Sequence, residues 1–397
     1  MNSYKLSRAW AEIHLDRFRH NLTTIKNHVG PQTKVMAVIK ADAYGCGVNE
    51  ISTAAVENGA DYLAVACVDE AKQIRRNGID LPILILGATP LECVEDLFTY
   101  NISPAVFEEQ LPQAISQYAK EHNKTLNIHI KVDTGMGRLG FPYYDSSYDS
   151  SVEQILAISK LEGIHVEGIF THFSNADCED SETVTKKQFS QFMDMIEKLN
   201  RNGLEIPLRH AANSAATCLY PKMHLDMVRP GIILYGEYPS AYVQERTSLK
   251  LQPVMELKAR VWQVKKVPAG QGISYGKTYV ADCEKTVAAV GIGYADGYFR
   301  TLSNQIQVII NGKLASQVGN ICMDQTVVDV TEIPNVSYGT EVILVGAAGE
   351  NAISFSQMAE YTGSINYEMM CDTGKRIVKA YFDGDDLIKT VNYMDKI

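Results

Sequence analysis

No two cysteines in this chain are spaced as C-x-x-C, and its eight cysteines (46, 67, 93, 178, 218, 283, 322 and 371) are scattered along 397 residues. That pattern builds neither a disulfide framework nor a zinc site, and it fits a reducing, cytoplasmic compartment. Long apolar runs are missing too. None approaches the ~18 residues of a membrane span, and Met1-Asn2-Ser3-Tyr4-Lys5 leads into no signal-type apolar region. There is no excess of positive charge: the formal net charge is −10, which argues against nucleic acid or an anionic membrane surface as the main partner. Internal repeats, low-complexity tracts and charge blocks are absent. Histidine is confined as well, since all nine lie at or before His224.

What remains is an ordinary globular composition, 46% hydrophobic and 21% charged, in a chain long enough for two domains. Short apolar runs recur at 35–39, 62–66, 82–86, 102–106, 126–132, 166–170, 207–211 and 227–234. Between them lie stretches such as 69–77 and 186–199, where apolar residues return at helical spacing. Eight strands alternating with helices predict an α/β fold, a TIM-like (β/α)8 barrel over residues 16–244. A doubly wound open sheet competes, because the fourth and seventh runs are weak. From residue 245 to 397 the pattern becomes β-rich, with runs at 254–267, 286–292, 305–310, 325–330 and 341–345 and one helical stretch at 355–362. Asn311-Gly312 signals a hairpin there. Residues 1–15 contain a strand expected to pack with this second, mainly β domain.

Lys40 closes the first apolar run, Val35-Met36-Ala37-Val38-Ile39. Burial in such surroundings lowers an ammonium's pKa toward the neutral amine, and a neutral amine condenses with aldehydes. Pyridoxal phosphate is the leading aldehyde cofactor for that chemistry. A strand-end lysine that reaches solvent with its head group is the plainer reading of this residue alone. The strand ends of a barrel carry its chemistry. Here they offer Lys40, Arg138, His172, Asn213 with Ser214, and Arg229 with Gly231. Ser214 and the backbone of Gly231-Ile232 lie where barrels hold phosphate, after strands seven and eight.

AVIKADAYG, IKVDTGMGRLGF, GIFTHFSNAD, HAANSAAT, DMVRPGIILYG, QGISYGKTY, GIGYADGY and NICMDQ resemble, in order, the successive motifs of the alanine racemase family, pyridoxal phosphate enzymes of fold type III. The resemblance spans residues 8 to 381. It implies that Lys40 holds the cofactor aldehyde and serves as one catalytic base. Tyr275 matches the second base, supplied by the other subunit of a homodimer, and the confinement of histidine before residue 225 suits a tyrosine in that role. Arg229 matches the arginine facing the pyridine nitrogen; read alone, it would be expected to pair with a carboxylate such as Asp226. Arg138 matches the clamp on the substrate carboxylate, held by Lys131, which many family members carry as a carbamate. Met323 and Asp324 match partner-subunit residues near that carboxylate, and Tyr294 an entrance residue. His172 and His210 match partners of Tyr275 and Arg229. Tyr44 and Ser214, with the amides of Gly231 and Ile232, are expected on the phosphate, and Asn213 beside them.

Tyr235 reads as packing, and Gly291-x-Gly293 mimics a dinucleotide loop with the wrong spacing. Three positions depart from the family pattern: Cys46 where histidine is frequent, Asn320 where arginine is frequent, and Lys375 where a phosphate-contacting tyrosine stands. They leave substrate choice open between alanine, which supplies D-alanine for cell wall, and serine or a broader range. A basic amino acid decarboxylase of the same cofactor fold is the more distant alternative.

Overall fold

The computed structural model describes residues 7–144 and 148–396, so the first six residues of the N-terminal segment fall outside it. The chain divides into two compact units, one of residues 19–43 and 48–251, the other of residues 1–18, 44–47 and 252–397.

In the first unit, eight parallel strands follow one another around a barrel. They are Lys34–Val38, Tyr62–Val65, Ile83–Ile85, Ser103–Val106, Leu126–Asp133, Ile164–Phe170, Leu208–His210 and Met227–Val228. The first seven pair in sequence order, and the eighth pairs with the first through Val228↔Val35. Backbone bonds from Asp226 N to Arg209 O (3.1 Å) and from Arg229 N to Ala212 O (2.9 Å) close the remaining seam. An open, doubly wound sheet reverses its strand order, and among the described residues the strands run in sequence order around a nearly closed barrel. The weak fourth and seventh runs are short strands because ladder bonds to both neighbours replace length. The eighth run was expected to stay extended to 234. It stops at Val228, because Pro230 removes a ladder donor and Ile232–Tyr235 then winds into a 3-10 turn. The expected helical stretches are Val68–Arg76 and Glu182–Arg201, each burying one apolar stripe on the barrel.

In the second unit, strand Ala9–His14 is fully buried between Met255–Val267, antiparallel to it, and Val378–Asp383, parallel to it. Strands Gln307–Ile310 and Lys313–Ser316 form the hairpin around Asn311 and Gly312, whose φ values of +50° and +74° suit the mirror-image turn that matches strand twist. Helix Phe355–Thr362 carries a Ser354/Gln357 capping box. A second helix, Asn366–Cys371, has no counterpart in the sequence reading; six residues are too few to show a helical period. No helix among the described residues is long and apolar enough to cross a membrane.

Candidate active site

Lys40 stands directly after the first barrel strand, half-buried, and the chain then does something L-residues avoid. Ala41, Asp42, Ala43 and Tyr44 have φ between +52° and +56°, a left-handed turn. Each such non-glycine residue costs roughly 1–2 kcal/mol, so the turn persists only where its surroundings fix it. Glu70 does so with both carboxylate oxygens, accepting from Ala41 N (2.7 Å) and from Ala66 N (2.7 Å). Asp42 Oδ1 accepts from Val48 N (2.8 Å), tying the turn to the next helix.

Four more of the expected residues surround the same barrel end, and their mutual repulsion shows it. Lys131 is buried, with Nζ donating to Leu86 O at 3.3 Å. Burial, then Arg138, Arg229 and Lys40, push its pKa down to about 8. His172 is held neutral by burial and by the charges of Arg229, Arg138, Lys131 and Lys40. Arg138 is exposed in the loop that follows the fifth strand. That loop is shaped by Asp133, whose Oδ1 gathers Gly135 N (2.9 Å) and Gly137 N (3.1 Å), and by Gly140, where a Cβ would lie 2.3 Å from Asp133 N.

Arg229 is buried without a carboxylate contact among the described residues. Nη1 donates to His210 O (2.8 Å) and His210 Nδ1 (3.1 Å); Nη2 donates to Thr171 O (2.7 Å), Ala211 O (3.1 Å) and, at 3.5 Å, lies against His172 Nδ1. The expected pairing with Asp226 is wrong. Asp226 is held by Arg209 through two charge-assisted bonds of 2.7 and 3.0 Å. Burial lowers the Arg229 guanidinium to about 9. Its fifth N–H, on Nε, has no partner among the described residues.

Asn213 caps helix Ser214–Leu219, accepting from Ala216 N at 3.0 Å. Ser214 Oγ accepts from Gly231 N at 2.8 Å, joining the ends of strands seven and eight. Ile232 opens the next 3-10 turn, where early amides lack partners within the turn.

The second unit holds the other expected residues. Tyr44 is buried there, its ring 6.1 Å from that of Tyr367, and burial and Cys371 raise its phenol. Tyr275, Tyr294 and Met323 are exposed by 73%, 43% and 53%, unusual for large apolar side chains. They are gathered by backbone contacts. Asn320 Nδ2 donates to Tyr275 O (2.7 Å), Ser274 Oγ donates to Asn320 O (2.5 Å), Tyr294 N donates to Cys322 O (3.0 Å) and Ala295 N to Met323 O (3.0 Å). Asp324 pairs with Arg376 at 2.8 Å, and Arg376 also reaches the fully buried Asp296, which Arg8 holds from the other side. Asp296 Oδ2 accepts from Gly293 N (3.0 Å), so this one carboxylate fixes the turn that carries Tyr294.

Two models of known families divide the chain between them: "Alanine racemase, N-terminal domain" matches residues 13–239 and "Alanine racemase, C-terminal domain" matches residues 254–381. The chain belongs to the alanine racemase family. Alanine racemase 1 of Clostridium acetobutylicum is 41% identical over 385 residues, 97% of this chain and 98% of that protein. Alanine racemase of Carboxydothermus hydrogenoformans is 45% identical over 372 residues, 94% of this chain and 99% of that protein. Among solved structures, alanine racemase of Clostridium difficile 630 superposes with a TM-score of 0.91 at 40% identity, covering 98% and 99% of the two chains. The Bacillus anthracis alanine racemase with bound L-Ala-P gives a TM-score of 0.90 at 33% identity, covering 98% and 99%.

Alanine racemases depend on pyridoxal phosphate, and the barrel residues fit it. An aldehyde needs an amine, which Lys40 supplies at the strand end. A pyridine nitrogen needs a donor, and the Nε–H of Arg229 is one that no described residue satisfies. A phosphate needs hydroxyl and amide donors: the Ser214 hydroxyl, which accepts from Gly231 N and keeps its own O–H to donate, and the amide of Ile232 beside it meet that need.

The sequence alone does not mark Glu70, Asp133 or Asp296 as site-building residues, and it marks Asn320 only as a departure from the family pattern. Asp296 had a signal, because it lies in the GIGYADGY motif. The loop resembling a dinucleotide fingerprint is a packing device instead: a Cβ on Gly291 would lie 1.9 Å from Trp262 Nε1, and one on Gly293 would lie 2.2 Å from Cys322 O. Tyr235 packs as expected, fully buried with its hydroxyl donating to Val38 O at 3.1 Å.

Proposed function

We propose that this protein interconverts L- and D-alanine with pyridoxal phosphate, using Lys40 and Tyr275 as bases on opposite faces of the substrate. The observation that carries the reading is the buried Arg229, satisfied by carbonyls and imidazoles rather than a carboxylate, beside a lysine on a strained strand-end turn. Lys40 Nζ would hold the aldehyde carbon, Arg229 Nε the ring nitrogen, and Tyr44, Ser214, Gly231 and Ile232 the phosphate, with His172 and Asn213 flanking. Bound, the cofactor draws electrons from the substrate Cα and so acidifies its C–H bond.

The chain's own residues then do the rest. Arg138 pairs with the substrate carboxylate in the fork geometry that suits guanidinium. Lys131 opposes it as a cation unless modified. With a pKa near 8 it offers a neutral amine, which adds CO2 and releases a proton to become a carbamate anion facing Arg138. Lys40 Nζ, a free amine once the substrate amine has replaced it on the aldehyde carbon, would take or return the Cα proton on one face and Tyr275 Oη on the other. Because guanidinium donates and does not surrender its proton readily, Arg229 would leave a pyridine nitrogen unprotonated and so favour return of the proton to Cα. Reprotonation there is racemisation.

Tyr275, Tyr294 and Met323 form an exposed patch of the kind a partner covers. The supported assembly is a homodimer in which this patch, with Asp324, completes the partner's site. A cytoplasmic enzyme supplying D-alanine for peptidoglycan is the matching cellular role. The relatives' names favour alanine over serine and over decarboxylation of basic amino acids. Incubating the purified protein with L-alanine, D-alanine or L-serine in D2O, followed by chiral analysis, tests the reading. Deuterium entering Cα of both alanine enantiomers as they equilibrate is expected; decarboxylated product, or serine turned over in preference, would overturn it.

A further inference from the structure

A single line of hydrogen bonds crosses the barrel interior from Arg229 to Glu167. His210 Nδ1 lies 3.1 Å from Arg229 Nη1, His210 Nε2 lies 2.9 Å from His129 Nδ1, and His129 Nε2 lies 3.2 Å from Glu167 Oε2. Tyr62 donates its hydroxyl to Glu167 Oε1 at 3.0 Å. We infer that Glu167 is a positioning residue for Arg229, fixing the tautomers of His129 and His210 so that His210 presents a lone pair to the guanidinium.

Hydrogen counting carries this. Arginine only donates, so His210 Nδ1 must accept. A neutral His210 then keeps its proton on Nε2 and gives it to His129 Nδ1. His129 in turn keeps its proton on Nε2 and gives it to Glu167. With an obligate donor at one end and a carboxylate at the other, no other pair of neutral tautomers satisfies all three contacts. Reversing both rings sets N–H against N–H at Arg229 and a lone pair against the carboxylate.

The rings are placed for this. His129 is fully buried over Gly168, where a Cβ would lie 2.3 Å from His129 Nδ1, so any side chain at 168 would displace the imidazole. His210 is fully buried and stacks on Phe170, ring centroids 4.9 Å apart and planes 10° from parallel. Neutrality has physical support. Burial lowers His129 against the opposing pull of Glu167, and burial, Arg229 and His129 hold His210 well below its usual value. Burial alone would raise Glu167; the bonds from His129 and Tyr62 outweigh it and leave the carboxyl below its ordinary range. The carboxylate thus acts on Arg229 through two rings and never touches it. Arg229 keeps a fixed orientation, and among the described residues no carboxylate competes for its Nε–H.

The functional consequence rests on the proposed role of Arg229, but the chain is testable separately. Holoenzyme labelled with 15N-histidine gives imidazole nitrogen shifts that distinguish the tautomers. Two neutral Nε2–H rings, unchanged from about pH 6 to about pH 9, are expected. An Nδ1–H or protonated ring at either position in the unmutated protein would overturn the assignment, whether or not any variant folds. Glu167→Leu should move His210 out of the Nε2–H pattern, shift the pH dependence of the bound cofactor's visible spectrum, and lower kcat about tenfold with little change in KM. Glu167→Gln should restore all three. Its carbonyl can accept from His129 while its amide donates to Tyr62, whose hydroxyl also accepts. Unchanged His210 signals in Glu167→Leu, or a Gln variant as impaired as the Leu variant, would overturn the inference. Tautomers as assigned, with cofactor behaviour indifferent to Arg229 itself, would instead count against the proposed role of Arg229.

Discussion

The barrel unit and the β unit hold their candidate residues by opposite means. In the barrel, Lys131, Arg229 and His210 are buried among one another, and burial depresses all three. In the β unit, Tyr275, Tyr294 and Met323 project into solvent, and the backbone beneath them is clamped by Asn320, Ser274 and Asp296. The first arrangement sets charge; the second sets position and leaves the side chains to be enclosed by something else. Substitutions in the barrel should therefore change cofactor retention, pH behaviour and reaction partition. Those in the β unit should change turnover while the cofactor stays bound.

The sharpest break in that comparison is Lys40→Ala against Tyr275→Phe. Lys40→Ala is expected to lose the visible band of bound cofactor and racemisation together, more than ~10⁴-fold. Tyr275→Phe should keep the band, lose ~10²–10⁴-fold in racemisation, and retain Cα-proton exchange from one enantiomer only. Mixed subunits carrying one change each should recover activity, because one intact site can assemble from the unmutated halves. Heterodimers that form and remain inactive would refute the shared site.

Arg229→Glu comes next. A carboxylate beside the ring nitrogen favours its protonation, which spreads the carbanion charge into the cofactor and away from Cα. Racemisation should fall ~10²–10³-fold while transamination per turnover rises, measured as pyruvate formed from alanine. An unchanged ratio of the two outcomes would remove Arg229 from the account of specificity.

The barrel's strand ends were readable because the eight apolar runs fix where each strand stops, and the residue after each stop is then a candidate. What was not readable is how those residues are held. Glu70 and Glu167 lie on elements whose own pattern is only amphipathic or alternating, and their targets are 29 and 38 residues away in sequence. Asp226 pairs with the more distant arginine for the same reason: Arg229 is three residues away and Arg209 seventeen, and only the barrel's closure brings Arg209 to the carboxylate. In the β unit the hairpin at Asn311-Gly312 is local and was legible. The left-handed turn at Ala41–Tyr44 was not, because nothing in Lys-Ala-Asp-Ala-Tyr favours positive φ; tertiary contacts impose it.

Lys131 gives a smaller effect with a clear sign. Its folded pKa of about 8 lies below the free value of 10.5, so between those pH values the unfolded chain holds a proton that the folded chain lacks. Stability should therefore rise with pH through that window, and the burial penalty, on the order of 3 kcal/mol at most, applies in full below about pH 8. Lys131→Met should remove this dependence, raising Tm near neutrality in CO2-depleted buffer while weakening substrate binding. If the carbamate forms, added bicarbonate should raise the Tm of the unmutated protein and leave Lys131→Met unmoved. Equal responses from the two proteins would exclude the modification.

Asn320 should show the smallest effect and the most specific one. Ser274 has φ +60° and ψ −172°, a region that essentially only glycine occupies, costing roughly 1–3 kcal/mol, and Gly276 and Lys277 follow with positive φ. Tyr275 thus rides on a strained turn whose main-chain carbonyl is gripped by the Asn320 amide at 2.7 Å. Where the family pattern frequently has arginine, a shorter donor here reaches the backbone under the Tyr275 phenol. An exposed neutral hydrogen bond contributes about 0.5–1.5 kcal/mol, so Asn320→Ala should lower kcat up to about tenfold without loss of cofactor. The loss should fall mainly on the direction in which Tyr275 removes the proton, seen as a larger Cα-deuterium isotope effect from one enantiomer. Asn320→Asp separates donation from bulk, since it is nearly isosteric yet, ionised, only accepts. It should be impaired at least as much as Asn320→Ala, and Asp behaving like the unmutated protein would mean that side-chain volume, not the hydrogen bond to Tyr275, holds the turn.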